Sequence, residues 1–277
     1  MSRELARRPG PTVRVRVQEL TATDETRHED RLATEEPLEI RLAWPGASAR
    51  RVWVTMRTPG HDFELAAGWL VHEGLARPGD IAGVAYCTDA DLAAEQELNV
   101  VTVTLASAPP TDPGHRHGAQ SSGSSACGVC GKDSVAAALD VPHGRRWAGP
   151  LPDPDVVRRL PEALLGRQQV FHRTGGVHAA GLFTASGEPL VVREDVGRHN
   201  AVDKVTGARV LAGESPAEAA LVVSGRAGFE LVQKAVTAGA GSLVAVGAPT
   251  SLSVRLAQEA GLALYGFVSE QRCVRYC

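Results

Sequence analysis

Apolar and polar residues alternate in the first half of the chain as expected for strands with one helix between them. Roughly the first 30 residues are polar, and we expect them to be unstructured. Runs of alternating or β-branched apolar residues then predict strands at residues 38–43, 52–56, 81–86 and 98–105. Over residues 62–73 the apolar positions recur at i, i+3, i+4 and i+7, and Gly74 follows as a C-terminal cap. These patterns predict an N-terminal α+β domain over residues 1–106.

Apolar runs in the second half lack polar alternation. They occupy residues 221–223, 243–246 and 262–268, and helical patterns begin between them near Phe229 and Leu252. Strands of this kind, separated by helices, indicate a sheet that is buried on both faces. We therefore predict an α/β protein with a C-terminal domain over residues 135–277. Its sheet is expected to be mixed or parallel, with helices on both faces.

The two halves are joined by a segment of different composition. Residues 107–126 hold three prolines, three glycines and a run of serines, with scarcely any large apolar side chain. Such a segment buries too little surface to order itself. It predicts a mobile loop over residues 107–134, which carries Cys127 and Cys130 near its end.

Composition excludes several classes of protein. The chain has 277 residues, 43% of them apolar and 22% charged, as in ordinary soluble domains. Its formal net charge of −3 argues against a nucleic-acid partner. No stretch approaches the roughly 18 apolar residues of a membrane span, and the N-terminus lacks the apolar core of a signal peptide. We expect a cytoplasmic protein whose cysteines stay reduced.

Cys127 and Cys130 form the strongest local motif and are the candidate catalytic residues. Two residues separate them, so their sulfurs lie close enough to cooperate, and Lys132 would favour the thiolate. A thiolate is the nucleophile that takes sulfur from a persulfide donor. Two other interpretations remain open: half of a structural zinc site completed by Cys273 and Cys277, and a thioredoxin-like redox pair.

A glycine-rich motif follows in the second half, where paired glycines permit a close backbone approach to a ligand. Its candidate binding residues are Thr174, Gly175, Gly176 and His178. A buried structural histidine is the alternative for His178. Zinc deaminases have a glutamate two residues after their histidine, but Ala180 stands there in this chain, which argues against deaminase chemistry.

Polar residues also cluster where predicted strands end. The candidates are Arg193, Asp195, Arg198, His199 and Asn200 in one motif, and Ser224, Gly225 and Arg226 in the next. Arginine pairs and helix N-termini bind phosphate, and ligands bind at the carboxyl edge of a parallel sheet. A phosphate-rich ligand at this edge is the prediction, and a solvated turn with salt bridges is the alternative.

Taken in order, these segments resemble the FdhD/NarQ family of formate dehydrogenase accessory sulfurtransferases. The matching residues are 57–60 with the helix that follows, 127–131, 174–180, 193–204 and 224–234. The resemblance implies a homodimer whose C-terminal domain is similar to the cytidine deaminase fold. It also implies that a cysteine desulfurase loads Cys127 with persulfide sulfur, with Cys130 assisting. The acceptor would be the molybdenum bis-molybdopterin guanine dinucleotide cofactor, destined for formate dehydrogenase, and guanine nucleotides would fit the same site.

The resemblance further implies cofactor contacts near the C-terminus. The stretch comprises Phe267, Val268, Ser269, Glu270, Gln271 and Arg272. Relative to the family pattern of Gly-Phe followed closely by a basic residue, the basic group is displaced to Arg272, and Glu270 is inserted. A non-catalytic chaperone that binds and protects the same cofactor is the alternative function, because it needs the anion site and not the Cys127 nucleophile.

Overall fold

The computed structural model describes residues 10–88, 92, 97–113 and 144–277. Its first element is an antiparallel hairpin of Thr12–Leu20 (β1) and Glu25–Ala33 (β2). The prediction of an unstructured N-terminus is therefore wrong for this segment. Three valines alternate with arginines in β1, and this period-2 pattern favours a strand even where the segment is polar overall.

A four-stranded sheet forms the rest of the N-terminal part, in agreement with the predicted α+β class. Its strands are Glu36–Trp44 (β3), Ala47–Arg57 (β4), Ile81–Tyr86 (β5) and Val100–Leu105 (β6), in the order β4-β3-β6-β5. Helix α1 (Asp62–His72) covers one face of the sheet, and Trp69 stacks on Trp53 with ring centroids 4.7 Å apart. Gly74 ends the helical segment at a φ of 69°, in the left-handed region that glycine adopts readily.

A six-stranded mixed sheet forms the C-terminal part. Its strands are His178–Phe183 (β7), Pro189–Asp195 (β8), Ala220–Val223 (β9), Ser242–Ala245 (β10), Ala263–Ser269 (β11) and Arg272–Arg275 (β12). The order is β12-β11-β10-β9-β7-β8. Strands β9, β10 and β11 are parallel, whereas β7 and β12 run antiparallel to their neighbours.

Helices cover both faces of this sheet, as predicted. They are Pro154–Leu165 (α2), Gln169–Thr174 (α3), Arg198–Leu211 (α4), Phe229–Ala238 (α5) and Ser251–Ala260 (α6). In β9, Leu221 and Val223 pack toward α4, α5 and α6, while Ala220 and Val222 pack toward α2. Both sides of the strand are buried, which explains the apolar run without alternation. Among the described residues, no helix has the length and apolarity to cross a membrane.

Helices α1 and α4 join the N-terminal and C-terminal parts at a close crossing. A Cβ atom on Gly68 would lie 1.8 Å from the Asp203 carbonyl oxygen, and one on Gly207 would lie 1.8 Å from that of Glu64. Only glycine permits this approach of the two backbones. The crossing therefore packs α1 of the N-terminal part directly against α4 of the C-terminal part. The predicted domain limits stay a prediction, and residues 114–134 of the predicted loop lie outside the described residues.

Candidate functional site

Several of the sequence motifs meet at one edge of the six-stranded sheet. The last residue of β8, Asp195, is paired with the first residue of β7, His178, because these strands are antiparallel. Ser224 directly follows β9, and Val246 directly follows β10. Strand polarity thus brings together residues that are up to 68 positions apart in the chain (246 − 178 = 68).

A cavity of about 710 Å³ lies between this edge and helices α2 and α3. Seven candidate residues line it: Gly175, Gly176, His178, Ser224, Val268, Ser269 and Glu270. Its other lining residues are Pro161, Glu162, Leu164, Leu165, Gln168, Phe171, Val177, Val196 and Val246. The volume is in the range of about 300–1,000 Å³ that is usual for small-molecule sites.

The glycine pair forms the turn that joins α3 to β7. Gly175 has a φ of 63° and its N–H donates to Phe171 O at 2.7 Å. Thr174 does not line the cavity but holds the turn, since its hydroxyl donates to Val170 O at 2.9 Å and accepts from Gly176 N at 3.2 Å. Because Gly175 and Gly176 have no side chains, their backbone atoms form this part of the cavity wall.

His178 and Ser224 supply polar groups at the sheet edge. Ser224 Oγ accepts from Ala179 N at 2.9 Å, which ties the end of β9 to β7. Burial lowers the pKa of His178 below 6.5, and electrostatic interactions with Arg198 and His199 lower it further against the opposing effect of Asp195. The imidazole is therefore neutral at pH 7 and has one nitrogen to donate and one to accept. Arg198 and His199 themselves do not line the cavity.

Asp195 and Asn200 have structural contacts and do not line the cavity. Asp195 is fully buried, with Oδ2 at 2.7 Å from Lys204 Nζ and accepting from Thr58 N at 3.1 Å. Its Oδ1 accepts from Gly197 N at 2.8 Å and from Asn200 Nδ2 at 3.0 Å. These bonds join residues 57–60 to the motif at residues 193–204, so both motifs serve the contact between the two parts of the chain.

Arg193 forms an ion pair with a residue of α1 and does not line the cavity. Its Nε lies 2.5 Å from Glu64 Oε2 and its Nη2 lies 2.7 Å from Glu64 Oε1, which is a bidentate ion pair. Burial alone would raise the pKa of Glu64, but hydrogen bonds from Arg193 and His61 lower it from 4.5 to about 2. The guanidinium that the sequence assigned to phosphate is thus already paired with a carboxylate.

The remaining candidates lie around the cavity without lining it. Gly225 faces His178, since a Cβ there would lie 3.7 Å from the imidazole Nδ1. Arg226 packs against Gly247, where a Cβ would lie 2.9 Å from Arg226 Cγ. Phe267 is 43% exposed, and the Arg272 guanidinium lies 5.1 Å from its ring centroid. Gln271 is also exposed.

The cavity wall that α2 and α3 contribute was not predicted from the sequence. Helix α2 had a readable signal, because Asp153 precedes Pro154 and Val157, Leu160 and Leu164 are buried at helical spacing. Helix α3 has six residues and no apolar periodicity. Its first backbone N–H groups are held by Glu194, whose carboxylate accepts from Val170 N at 2.9 Å and Phe171 N at 2.8 Å. Val170 and Glu194 are 24 positions apart in the chain, so the local sequence pattern does not indicate this contact.

The predicted catalytic residues Cys127 and Cys130 lie outside the described residues. Cys273 packs in the core on the α2 face of the sheet, whereas Cys277 packs in the core on the opposite face. Burial raises the pKa of Cys277, and its thiol donates to Leu262 O at 3.1 Å. This separation disfavours a zinc site that uses both. Within the ranges described, no three His, Cys, Asp or Glu side chains group as a metal site would require.

Known proteins are similar to this chain in fold and in sequence. The fold is similar to that of a protein from Desulfotalea psychrophila described as a formate dehydrogenase accessory protein, with a TM-score of 0.75 at 22% identity, over 96% of this chain and 97% of that one. A sulfur carrier protein FdhD of Nocardia farcinica is 47% identical over 265 residues, 93% of this chain and 90% of its own. That of Thermoplasma volcanium is 39% identical over 242 residues, 87% and 85%.

The family model described as FdhD/NarQ matches residues 33–277, which include every described part of the cavity wall. The matched segment begins at the last residue of β2, so the hairpin precedes it. Together with relatives at this level of identity, the match shows that the chain belongs to the FdhD/NarQ family.

Proposed function

We propose that this protein is a sulfurtransferase that serves formate dehydrogenase. It takes persulfide sulfur from a cysteine desulfurase onto Cys127 and passes it to the molybdenum bis-molybdopterin guanine dinucleotide cofactor. Relatives at 47% identity are named sulfur carrier proteins, which supports the sulfur role. The observation that supports this acceptor is that residues 175–178, 224 and 268–270 line one cavity.

The cavity suits a ligand with flat rings. Leu164, Phe171 and Val268 offer apolar walls for a ring, and His178 and Ser224 offer hydrogen bonds. Arg198 places a positive charge near enough to lower the pKa of His178, and its buried Nε has no hydrogen-bond partner among the described residues.

The transfer of sulfur from the donor persulfide to Cys127 requires no external oxidant. The Cys127 thiolate attacks the terminal sulfur of the desulfurase persulfide, a new S–S bond forms on Cys127, and the donor cysteine leaves as a thiolate. For release, the Cys130 thiolate attacks Cys127 Sγ and hydrosulfide leaves for the cofactor. The two cysteines become a disulfide, which a cellular dithiol then reduces. In this scheme Cys127 is the carrier and Cys130 is the resolving thiol.

We also propose that the sulfur transfer takes place in the cytoplasm. A desulfurase and a molybdenum enzyme under assembly meet in the cytoplasm, where thiols are kept reduced. A homodimer, which the family resemblance implies, would present two loading sites to these partners.

The test is mass spectrometry of the intact protein and its peptides after incubation with a cysteine desulfurase and cysteine. An added sulfur is expected on Cys127 and is expected to be lost in Cys127→Ala. Cys87→Ala is the matched control and is expected to load normally. If no sulfur appears although the desulfurase loads another acceptor, the carrier role is wrong and the non-catalytic chaperone is favoured.

A further inference from the structure

The β1–β2 hairpin has an open edge along β2. Within the described residues the hairpin forms a sheet of its own, and neither of its strands pairs with the other two sheets. Residues 25–30 of β2 are all exposed. The last residue of β2 approaches the rest of the chain, since a Cβ on Gly176 would lie 3.4 Å from that of Ala33. A two-stranded hairpin is marginally stable alone and gains stability from further strands, so the edge of β2 is suited to pair with one.

The backbone bonds inside the hairpin determine which residues of β2 face this edge. Thr21 N donates to Asp24 O at 2.9 Å beside the turn. Thr34 N donates to Pro11 O at 3.0 Å at the other end of the hairpin. Because hydrogen-bonded and non-hydrogen-bonded pairs alternate in an antiparallel ladder, every second residue of β2 has its backbone N–H and C=O groups directed away from β1. These residues are Glu25, Arg27, Glu29, Arg31 and Ala33.

The four charged residues of this set make the edge complementary to itself. Their signs alternate along the strand, and residues two apart share one face. If a second β2 pairs antiparallel about a two-fold axis at His28, Glu25 lies opposite the partner's Arg31 and Arg27 lies opposite the partner's Glu29. The symmetry repeats both pairs. The same register also aligns the outward-facing backbone groups of the two strands, so charge pairs and main-chain hydrogen bonds form together.

Neighbouring registers do not meet both conditions. An axis at Arg27 sets Arg27 against its own copy and Glu25 against Glu29. An axis at Glu29 sets Glu29 against its own copy and Arg27 against Arg31. Like charges directly opposite each other destabilise a sheet. An axis between two residues would align outward-facing backbone groups with inward-facing ones, so no ladder would form. The alternating charges therefore specify one register.

The two arginines of the set have no competing partner. Neither Arg27 nor Arg31 forms an ion pair within the part of the chain that the structure describes. Arg31 lies opposite Arg14 in the hairpin, which is an unfavourable like-charge pair. Glu29 Oε2 lies 3.6 Å from Arg14 Nη1, but both side chains are more than half exposed, so solvent screens this contact. A second copy of β2 would supply each arginine with a carboxylate.

Local hydrogen bonds compete with strand pairing at two positions. The Asp24 carboxylate accepts from Glu25 N at 2.8 Å, and the Asp30 carboxylate accepts from Arg31 N at 2.7 Å. The central N–H groups of Arg27 and Glu29 have no such acceptor among the described residues. The centre of the edge is thus available for pairing, whereas its two ends must exchange one side-chain acceptor each.

Charges at a sheet edge can also prevent pairing, and β1 offers a comparison. Its outward-facing residues include Arg14 and Arg16 but no carboxylate. Two copies of β1 would therefore bring no opposite charges together. A purely repelling edge carries charges of one sign, as β1 does. The alternating signs of β2 favour pairing instead.

We propose that the edge of β2 is an interaction surface for a second copy of this chain, so that two hairpins form one four-stranded antiparallel sheet about a two-fold axis at His28. Both copies use the same surface, as in other two-fold interfaces. Main-chain bonds supply affinity and the charges supply the register. The inference rests on the homodimer of the proposed function and assigns that homodimer a surface, in a hairpin that precedes the segment matched by the family model.

The first test is sedimentation equilibrium of the full-length protein at low and high salt. Arg27→Glu replaces two opposite-charge contacts by two like-charge contacts, so we expect the dimer dissociation constant to rise by about tenfold or more. Glu29→Arg should have the same effect. Arg255→Glu is the matched control, because it makes the same change in charge at an exposed residue of α6. Wild-type association should also weaken at high salt, since the charges are exposed.

Mixing the two charge variants separates pairing from damage to the hairpin. Arg27→Glu and Glu29→Arg each repel their own copy, but a mixed dimer of the two restores opposite charges at both central positions. We therefore expect the mixture to associate about as tightly as wild type. A variant whose hairpin had merely unfolded would not recover on mixing, and that result would overturn the inference.

A cross-link tests the position of the axis. His28 would face its own copy in a non-hydrogen-bonded pair, with the two Cα atoms about 4.5 Å apart, within the range for a disulfide. Mild oxidation of His28→Cys should therefore give a disulfide between the two copies of residue 28, mapped by peptide mass spectrometry. Thr26→Cys is the control, because its two copies would lie about 14 Å apart, four residues along the strand.

The outcomes distinguish this inference from the proposed function. If wild-type protein is a dimer, both charge variants dimerise as tightly and residue 28 does not cross-link, the homodimer uses another surface and this inference alone is wrong. If wild-type protein is a monomer at every concentration, the proposed homodimer fails together with the inference. Sulfur loading of Cys127 is a separate measurement in either case.

Discussion

Lys204 Nζ lies 2.7 Å from Asp195 Oδ2, and neither side chain exposes more than 1% of its surface. Lys204 also donates to the Thr58 carbonyl at 2.9 Å. The pair thus connects β8, α4 and the segment after β4 at one buried point. Removing one member of such a pair is costly, because the other is left as an uncompensated buried charge.

We expect Lys204→Met to destabilise the protein by about 3–5 kcal/mol in urea unfolding. The double variant Asp195→Asn with Lys204→Met should recover part of this loss, since it removes both charges. A single variant that loses less than about 1 kcal/mol, the range of exposed ion pairs, would show that the pair is not important for stability.

The crossing of α1 and α4 predicts a steric effect. In Gly207→Ala the new Cβ would lie 1.8 Å from the Glu64 carbonyl oxygen, so the helices must move apart. We expect a loss of about 1–3 kcal/mol or more in unfolding free energy, as for other overpacked sites. Gly79→Ala is the control, because a Cβ there would meet no atom within 4 Å. Equal stability of the two variants would contradict the crossing.

The Glu64–Arg193 pair predicts a pH dependence. The pKa of Glu64 falls from 4.5 to about 2 on folding, so the unfolded chain binds this proton more readily than the folded one. The stabilisation is complete above pH 4.5 and is lost as the pH falls toward 2. Unfolding free energies of wild type and Glu64→Gln should therefore converge over that window, and a constant difference between them would be inconsistent with the pKa shift.

His178 offers a spectroscopic test of the charge near the cavity. NMR titration should give a pKa below 6.5 in the wild-type protein, mainly because of burial. Arg198→Met should raise this pKa, since it removes the nearby positive charge. Arg193→Met should leave it in place, because the Arg193 guanidinium is neutralised by Glu64. An unchanged pKa of His178 in Arg198→Met would contradict this electrostatic effect.

Glu194 positions α3 and through it the wall of the cavity. Glu194→Ala removes the acceptor for Val170 N and Phe171 N, and we expect a cost of about 1–3 kcal/mol for the buried part of this contact. Amide hydrogen exchange at both positions should accelerate and GDP binding should weaken, while loading of Cys127 continues. Glu188→Ala is the control, because Glu188 is exposed, lies directly before β8 and lacks this contact. Unchanged exchange at Val170 and Phe171 would refute the positioning role.

Local pattern was sufficient for most of the fold. The predicted strand at residues 81–86 has the observed limits, and the helix predicted from Phe229 begins there. These elements are readable because burial on one or both faces imposes a period that neighbouring residues share. The β1–β2 hairpin was missed because its overall polarity hid the alternation of valine and arginine.

The sequence by itself determined which segments carry polar chemistry, and those at residues 175–178, 224 and 268–270 meet at one edge of the six-stranded sheet. Only the tertiary structure decided which side chains of each motif face the cavity. Arg193 turns to Glu64 and Asp195 turns to Lys204, whereas His178 and Gln168 line the cavity. The reason is physical: a buried charge takes the partner that folding brings to it, and that partner is 129 positions away for Arg193. The spacing of apolar residues along the chain indicates whether a segment is a helix or a strand. It does not indicate which residues from other segments pack against it across the core.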